Sequence, residues 1–179
     1  RAHKEGFAAR SVYKLEEIDQ RLKLLKAGGR VLDLGAAPGS WTQYAGPKVG
    51  PKGKVVALDL EPLRVPVLPH VKVLQLDIFE TPIEQLQALG PFDVVLSDMA
   101  PHTSGTPEAD AARSEALVER AVELASKLLV PGGHMVAKIF QGSGFEEIRA
   151  KMRGYFDEVR VLKPEAIRKV SRELYLAGL

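Results

Sequence analysis

The stretch V-L-D-L-G-A-A-P-G, residues 31–39, decides how the rest of the chain is read. An apolar strand carrying one acid, Asp33, runs into a loop of small residues between Gly35 and Gly39 and then into a helix through Ser40, Trp41 and Thr42. Strand-loop-helix corners of this kind hold nucleotide-type ligands at the carboxyl edge of a parallel sheet. Glycine lets the backbone approach the ligand, and the helix start offers unpaired N–H groups. The dinucleotide spacing G-x-G-x-x-G is absent, and Pro38 removes a donor that a pyrophosphate would use. The corner points to a nucleoside cofactor without a diphosphate, with a plain strand-to-helix turn as the alternative.

Outward from this corner, the same pattern returns. K-V-V-A-L-D-L at 54–60, V-K-V-L-Q-L-D at 71–77 and F-D-V-V-L-S-D at 92–98 each read as an apolar strand with an acid at or near its end. Asp33, Asp59, Asp77 and Asp98 thus gather at one sheet edge, where open parallel sheets bind ligands; singly, each could be a helix cap or a turn aspartate. Asp59 lies where a nucleoside site wants a carboxylate for ribose hydroxyls. Trp41 by itself reads as core.

A first helix is predicted from Ser11, with Val12, Leu15, Ile18, Leu22 and Leu25 as its apolar stripe and Gly28 and Gly29 as its end. Lys14 beside that stripe reads as a surface lysine paired with Glu17. After the polar loop at 100–110, a long helix is predicted over about 110–129, with Leu117, Ala121, Leu124 and Leu128 facing inward and Pro131, Gly132 and Gly133 stopping it. The fifth strand, H-M-V-A-K-I-F at 134–140, carries Lys138 where a doubly covered strand should be apolar. An unpaired buried ammonium is costly, so this lysine reaches a mouth or has acidic partners. A helix at 145–153 leads to strands at 158–162 and 173–179, whose connector is too short for a crossover helix. They are expected to form an antiparallel hairpin. The fold class is α/β: a seven-stranded, mostly parallel sheet with a reversed last strand and helices on both faces. That reversal brings Glu173, otherwise a surface glutamate paired with Arg172 or a neighbour, to the ligand edge.

Composition sets bounds. The 179 residues suit a single domain, residues 1–179, with a basic N-terminal arm and helix over 1–27. Cysteine is absent and the four histidines are scattered, which excludes disulfides and thiolate zinc sites and fits a cytoplasmic setting. No membrane-spanning run or signal-peptide pattern appears. The net charge of +2 is uneven: residues 1–30 carry eight Lys/Arg against four acids, 31–148 nine against fifteen, and 149–179 eight against four. Basic ends beside an acidic middle suit phosphate backbones next to an acidic pocket, or are ordinary solvated surface.

In combination, A-R-S-V-Y-K-L at 9–15, D-L-G-A-A-P-G-S-W-T-Q at 33–43, S-D-M-A-P-H-T-S-G-T-P at 97–107, K-I-F-Q-G-S-G-F at 138–145 and S-R-E-L-Y-L at 171–176 resemble the RrmJ/FtsJ family of S-adenosylmethionine-dependent RNA 2′-O-methyltransferases, over essentially the whole chain. The resemblance implies the Rossmann-like methyltransferase fold and a catalytic tetrad of Lys14, Asp98, Lys138 and Glu173, overriding the bland readings of Lys14 and Glu173. It places cofactor contacts on Gly39, Trp41, Asp59 near the ribose, Asp77 near the adenine and Asp98 near the methionine end. The implied cofactor is S-adenosyl-L-methionine, with S-adenosyl-L-homocysteine as product and no metal. Departures from the family pattern are Ser40, where a second glycine is common, and His102, where asparagine is. The 97–107 signature resembles the ribosomal branch and implies a uridine of the large-subunit ribosomal RNA A loop, reached within the large subunit by a monomer. Alternatives are a tRNA 2′-O-methyltransferase, a catalytically silent RNA-binding module of the same fold and a small-molecule methyltransferase. Lys138 is expected as proton acceptor or steering group, with Arg1, Lys4, Arg10, Arg168, Lys169 and Arg172 gripping phosphates.

Overall fold

A computed structural model describes residues 5–101, 105–142, 144–167 and 170–179. Arg1, Lys4, His102, Arg168 and Lys169 lie outside the described residues. The elements run α1 (Val12–Leu22), β1 (Arg30–Leu34), α2 (Ser40–Val49), β2 (Lys54–Asp59), β3 (Val71–Gln75), α3 (Ile83–Gln87), β4 (Phe92–Ser97), α4 (Pro107–Leu128), β5 (Leu129–Phe140), α5 (Phe145–Arg153), β6 (Val159–Leu162) and β7 (Glu173–Gly178).

The apolar strands read from sequence assemble into one seven-stranded sheet of order β3-β2-β1-β4-β5-β7-β6. The first five strands pair in parallel, and β7 runs antiparallel to both β5 and β6. The reversed strand is therefore inserted between its neighbours, not appended at the edge. Its register sets Glu173 opposite Phe140 and Tyr175 opposite Lys138. Side chains alternate along strands, so Glu173 and Tyr175 project from one face.

Each face of the sheet closes its own core. On one side Val12, Leu15, Ile18, Trp41 and Ala45 from α1 and α2 pack on Val31, Leu96, Val136 and Tyr175. On the other, Val118, Ala121 and Leu124 of α4 and Ile148 and Met152 of α5 cover Leu32, Val56, Val95 and Leu176. Removing such side chains from water, at about 1.5–3 kcal/mol each, holds the three layers together.

Several boundaries differ from the sequence expectation. Helix α1 stops at Leu22, before the glycines, because Lys23 turns left-handed (φ 52°) and gives its N–H to Asp19 O at 2.7 Å. The buried Asp19 carboxylate then accepts the N–H groups of Leu24 and Leu25, at 3.0 and 2.9 Å, and the Tyr44 hydroxyl at 3.0 Å. Leu25 is thus buried by a turn, not by the helical stripe. Helix α4 begins at Pro107, a residue suited to a first turn because it has no N–H to leave unpaired. Strand β5 begins at Leu129 and absorbs Pro131–Gly133 in a shift of register between Phe92 and Val94 of β4, so these residues distort a strand rather than stop a helix. The five-residue α3 is too short to leave a periodic signal in the sequence.

Candidate active site

Four side chains that are far apart in sequence meet in two ion pairs at the carboxyl edge. Lys14 Nζ lies 2.9 Å from Glu173 Oε2, with the side chains 19% and 23% exposed. Lys138 Nζ lies 3.4 Å from Asp98 Oδ1, with side chains 9% and 13% exposed. Lys14 does not take the helical partner expected for it: Glu17 instead pairs with Arg21 at 3.3 Å. Lys138 has the acidic partner that its place in a buried strand requires.

A fifth residue joins them. Tyr175, fully buried, donates its hydroxyl to Asp98 Oδ1 at 2.7 Å and stacks on Trp41, ring centroids 5.9 Å apart. Burial and the Asp98 carboxylate push the phenol well above its ordinary pKa, so it remains a donor. The Asp98 carboxyl is itself raised, chiefly by burial; Lys138, the Tyr175 hydroxyl and Lys14 oppose that rise, and Glu173 adds to it. Sequence reasoning missed Tyr175. Its signal was the spacing of two from Glu173 on a strand.

The glycine corner forms the second half of the site. Gly35 (φ 72°) and Gly39 (φ 126°) adopt conformations that side chains disfavour, and a Cβ on either would run into Met99 or Val65. Asp59 ties the loop down: Oδ2 accepts the Ala37 N–H at 2.9 Å and Oδ1 the Glu61 N–H at 2.8 Å. Asp77 Oδ1 accepts the Phe79 N–H at 2.8 Å. Gly35, Asp59, Asp77, Met99 and Leu117 line a cavity of about 290 Å³. Asp98, which pairs with Lys138, immediately precedes Met99 of this lining in the chain. The Trp41 indole is 2% exposed and donates to Ser11 O at 2.9 Å. Any contact from Trp41 to a ligand is left to its backbone N–H in the first turn of α2.

Asp33 is fully buried. Its Oδ2 accepts the Thr42 hydroxyl at 2.7 Å, while Oδ1 has no partner. Burial pushes its carboxyl up to about 7; the Thr42 bond opposes this, and Asp98 and Asp59 add to it. Three carboxylates within electrostatic reach of one another suit a ligand carrying positive charge. Among the described residues no group of three or more His, Cys, Asp or Glu is placed to hold a metal ion.

A second cavity, about 450 Å³, has Lys14 and Glu173 in its wall. Arg10 stands at this cavity, whereas Arg172 is engaged elsewhere, on the carbonyl oxygens of Pro107 at 3.2 Å and Gln141 at 2.7 Å. Of the expected phosphate-gripping residues, Arg172 thus serves to join α4 and β5 to β7.

Comparison with known proteins gives a consistent result. The model of the FtsJ-like methyltransferase family matches residues 7–179. A Syntrophobacter fumaroxidans protein named ribosomal RNA large subunit methyltransferase E is 51% identical over 181 residues, 100% of this chain and 92% of the relative. A protein of the same name from Desulfatibacillum aliphaticivorans is 50% identical, covering 99% and 86%. Among solved structures, a Plasmodium falciparum protein provisionally designated a ribosomal RNA methyltransferase superposes with a TM-score of 0.84 at 26% identity, covering 96% of this chain and 97% of that one. Aeropyrum pernix fibrillarin with bound S-adenosyl-L-methionine shares the fold, with a TM-score of 0.63 at 18% identity, covering 95% and 76%.

Proposed function

This chain belongs to the FtsJ-like methyltransferase family, and from that premise we propose that it transfers the methyl group of S-adenosyl-L-methionine to a ribose 2′-hydroxyl of large-subunit ribosomal RNA, at a uridine of the A loop. The observation that carries the reading is the convergence of Lys14–Glu173 and Lys138–Asp98 at the sheet edge that also carries the glycine corner, with Lys14 and Glu173 in the wall of a cavity beside α1. The names of the relatives support a ribosomal RNA substrate.

The glycine corner fits the methyl donor. Gly35 and Gly39 supply the positive-φ turns of the corner and let Met99 and Val65 pack against it, Asp59 retains lone pairs for ribose hydroxyls beyond the two N–H bonds it accepts, and Asp77 lines the same cavity. The unpartnered Asp33 Oδ1 and the neighbouring Asp98 suit a molecule with ammonium and sulfonium charge. When bound, S-adenosyl-L-methionine supplies a methyl group already activated by a positive sulfur. What remains for the chain is to aim a hydroxyl oxygen and manage its proton. Lys138, anchored by Asp98, steers the oxygen's lone pair and receives or relays its proton; Tyr175 fixes Asp98 from behind. Lys14, held by Glu173, orients the ribose or its phosphate. The acceptor hydroxyl itself selects RNA over DNA.

The test is transfer of labelled methyl from S-adenosyl-L-methionine, using large-subunit RNA or subunits from cells lacking the protein, followed by mapping of the methylated nucleotide. A single 2′-O-methyluridine in the A loop is expected. Methylation of tRNA alone, of small molecules alone, or RNA binding without transfer would overturn the reading.

A further inference from the structure

We propose that the cavity between α1 and the connector leading to β7 receives the base of the target nucleotide, turned out of its RNA stack, with Tyr13 as the stacking wall and Glu17 setting the width of the slot. The proposal rests on the RNA reading above and deepens it.

The cavity is about 450 Å³, within the range of small-ligand sites. Arg10, Ser11 and Tyr13 line one side, and Ala166, Ile167 and Ser171 the other. Lys14 and Glu173 also line it, so a ribose presenting its 2′-hydroxyl to the ion pairs has its base on the adjacent ring carbon and directed into or past this space. Bases on single-stranded or extruded nucleotides are held by aromatic stacking and by hydrogen bonds to their edges. The lining offers both kinds of contact: the Tyr13 ring, the Ser11 and Ser171 hydroxyls, and apolar surface from Ala166 and the buried Ile167. Arg10, exposed in the same wall, suits the phosphate attached to that nucleotide.

The two walls are fastened to each other. The Glu165 N–H donates to both Glu17 oxygens, at 2.9 and 3.0 Å, bridging α1 to the connector, and the Ile167 N–H closes a turn on Pro164 O at 3.0 Å. On the α1 side, the Trp41 indole N–H holds Ser11 O, and the Ser11 and Ser40 hydroxyls are 2.9 Å apart. Tyr13 lines the cavity, and its hydroxyl is given to Glu5 Oε2 at 2.8 Å. Glu17 is therefore a positioning residue, and Tyr13 a substrate-contacting one.

The experiment compares two large-subunit RNAs prepared by ligation, assembled into subunits where free RNA is inert. One carries the ordinary nucleotide at the mapped site, and the other an abasic ribose that keeps its 2′-hydroxyl. Wild type should lose roughly 5- to 100-fold in kcat/KM on the abasic RNA, the range for one base stack. Tyr13→Ala should show a similar loss on ordinary RNA and little further loss on abasic RNA, whereas Tyr13→Phe, which keeps the ring, should retain the difference between the two RNAs. Glu17→Ala should raise KM for ordinary RNA with kcat and S-adenosyl-L-methionine binding unchanged. Equal wild-type rates on both RNAs would overturn the base slot while leaving the methyltransferase reading intact. A Tyr13→Ala loss of the same size on both RNAs would also overturn it, as would loss of S-adenosyl-L-methionine binding in both Tyr13 variants, since either marks Tyr13 as structural. Failure of wild type to methylate ordinary RNA would remove the functional reading itself.

Discussion

Asp33 and Asp98 stand at the ends of neighbouring strands, β1 and β4, and the protein treats them differently. Asp33 has one hydroxyl on one oxygen, nothing on the other and no exposure to water, and burial lifts its carboxyl to about 7. Asp98 is also raised by burial, but Lys138 and Tyr175 converge on its Oδ1 and oppose the rise. The same residue type at the same sheet edge is thus poised near neutrality in one case and tied to a cation in the other. The cause is topological. Insertion of β7 beside β5 brings Tyr175 opposite Lys138, and the pair reaches Asp98, while no cation pairs with Asp33 among the described residues.

The largest effect should come from making Asp98 resemble Asp33. Lys138→Met removes the cation, and single-turnover methyl transfer is expected to fall about 10²- to 10⁴-fold with RNA binding retained. The acid limb of the remaining rate should move to higher pH, because the strongest influence opposing burial has gone. Transfer at wild-type rate would end the comparison.

The reverse change is Asp33→Asn. Between about pH 4 and 7 the unfolded carboxyl has lost its proton while the folded one keeps it, so the folded state binds more protons and stability falls as pH rises. Above pH 7 the full penalty is present; below 4 it vanishes. Urea unfolding should therefore show Asp33→Asn gaining stability over wild type as pH rises, up to about 4 kcal/mol near pH 8 and close to none at pH 4. A gain of equal size at both pH values would show that the charge is not the cause.

Tyr175→Phe keeps the stack on Trp41 and removes only the hydroxyl from Asp98. A hydrogen bond to a charged group is worth roughly 1.5–3 kcal/mol, so transfer should slow about 10- to 100-fold, with an acid limb moved upward. Smallest is Glu173→Gln, because the Lys14–Glu173 pair is partly open to water. A loss of about 1 kcal/mol, a few-fold in kcat/KM, is expected in steady-state kinetics. An effect matching that of Lys138→Met would place the reaction's centre at the outer pair instead.

The strands, their parallel order and the gathering of acids at one edge were legible because each is written in a few consecutive residues. What those acids do was not. Asp33, Asp59, Asp77 and Asp98 all have the same short side chain, and only tertiary neighbours make one an orphan, one a loop clamp, one a local turn acceptor and one the partner of Lys138 and Tyr175. Lys138 could be singled out from its strand, since a buried amine demands a partner. Lys14 and Glu173 could not, because helix spacing favoured Glu17 for the lysine, and the pairing observed spans 159 positions. Family resemblance supplied that link before the coordinates did. Trp41 shows the converse: sequence context alone placed its ring in the core, as found, whereas the resemblance implied a cofactor contact there.

Strand β7 enters between two others, and the site hangs on that insertion. Until that strand slots into place, Lys138 has no Tyr175 beside it and Lys14 has no Glu173. Displacing that one strand would take Glu173 from Lys14 and Tyr175 from Asp98 together, so both halves of the ion-pair cluster depend on a single edge of the chain's last segment.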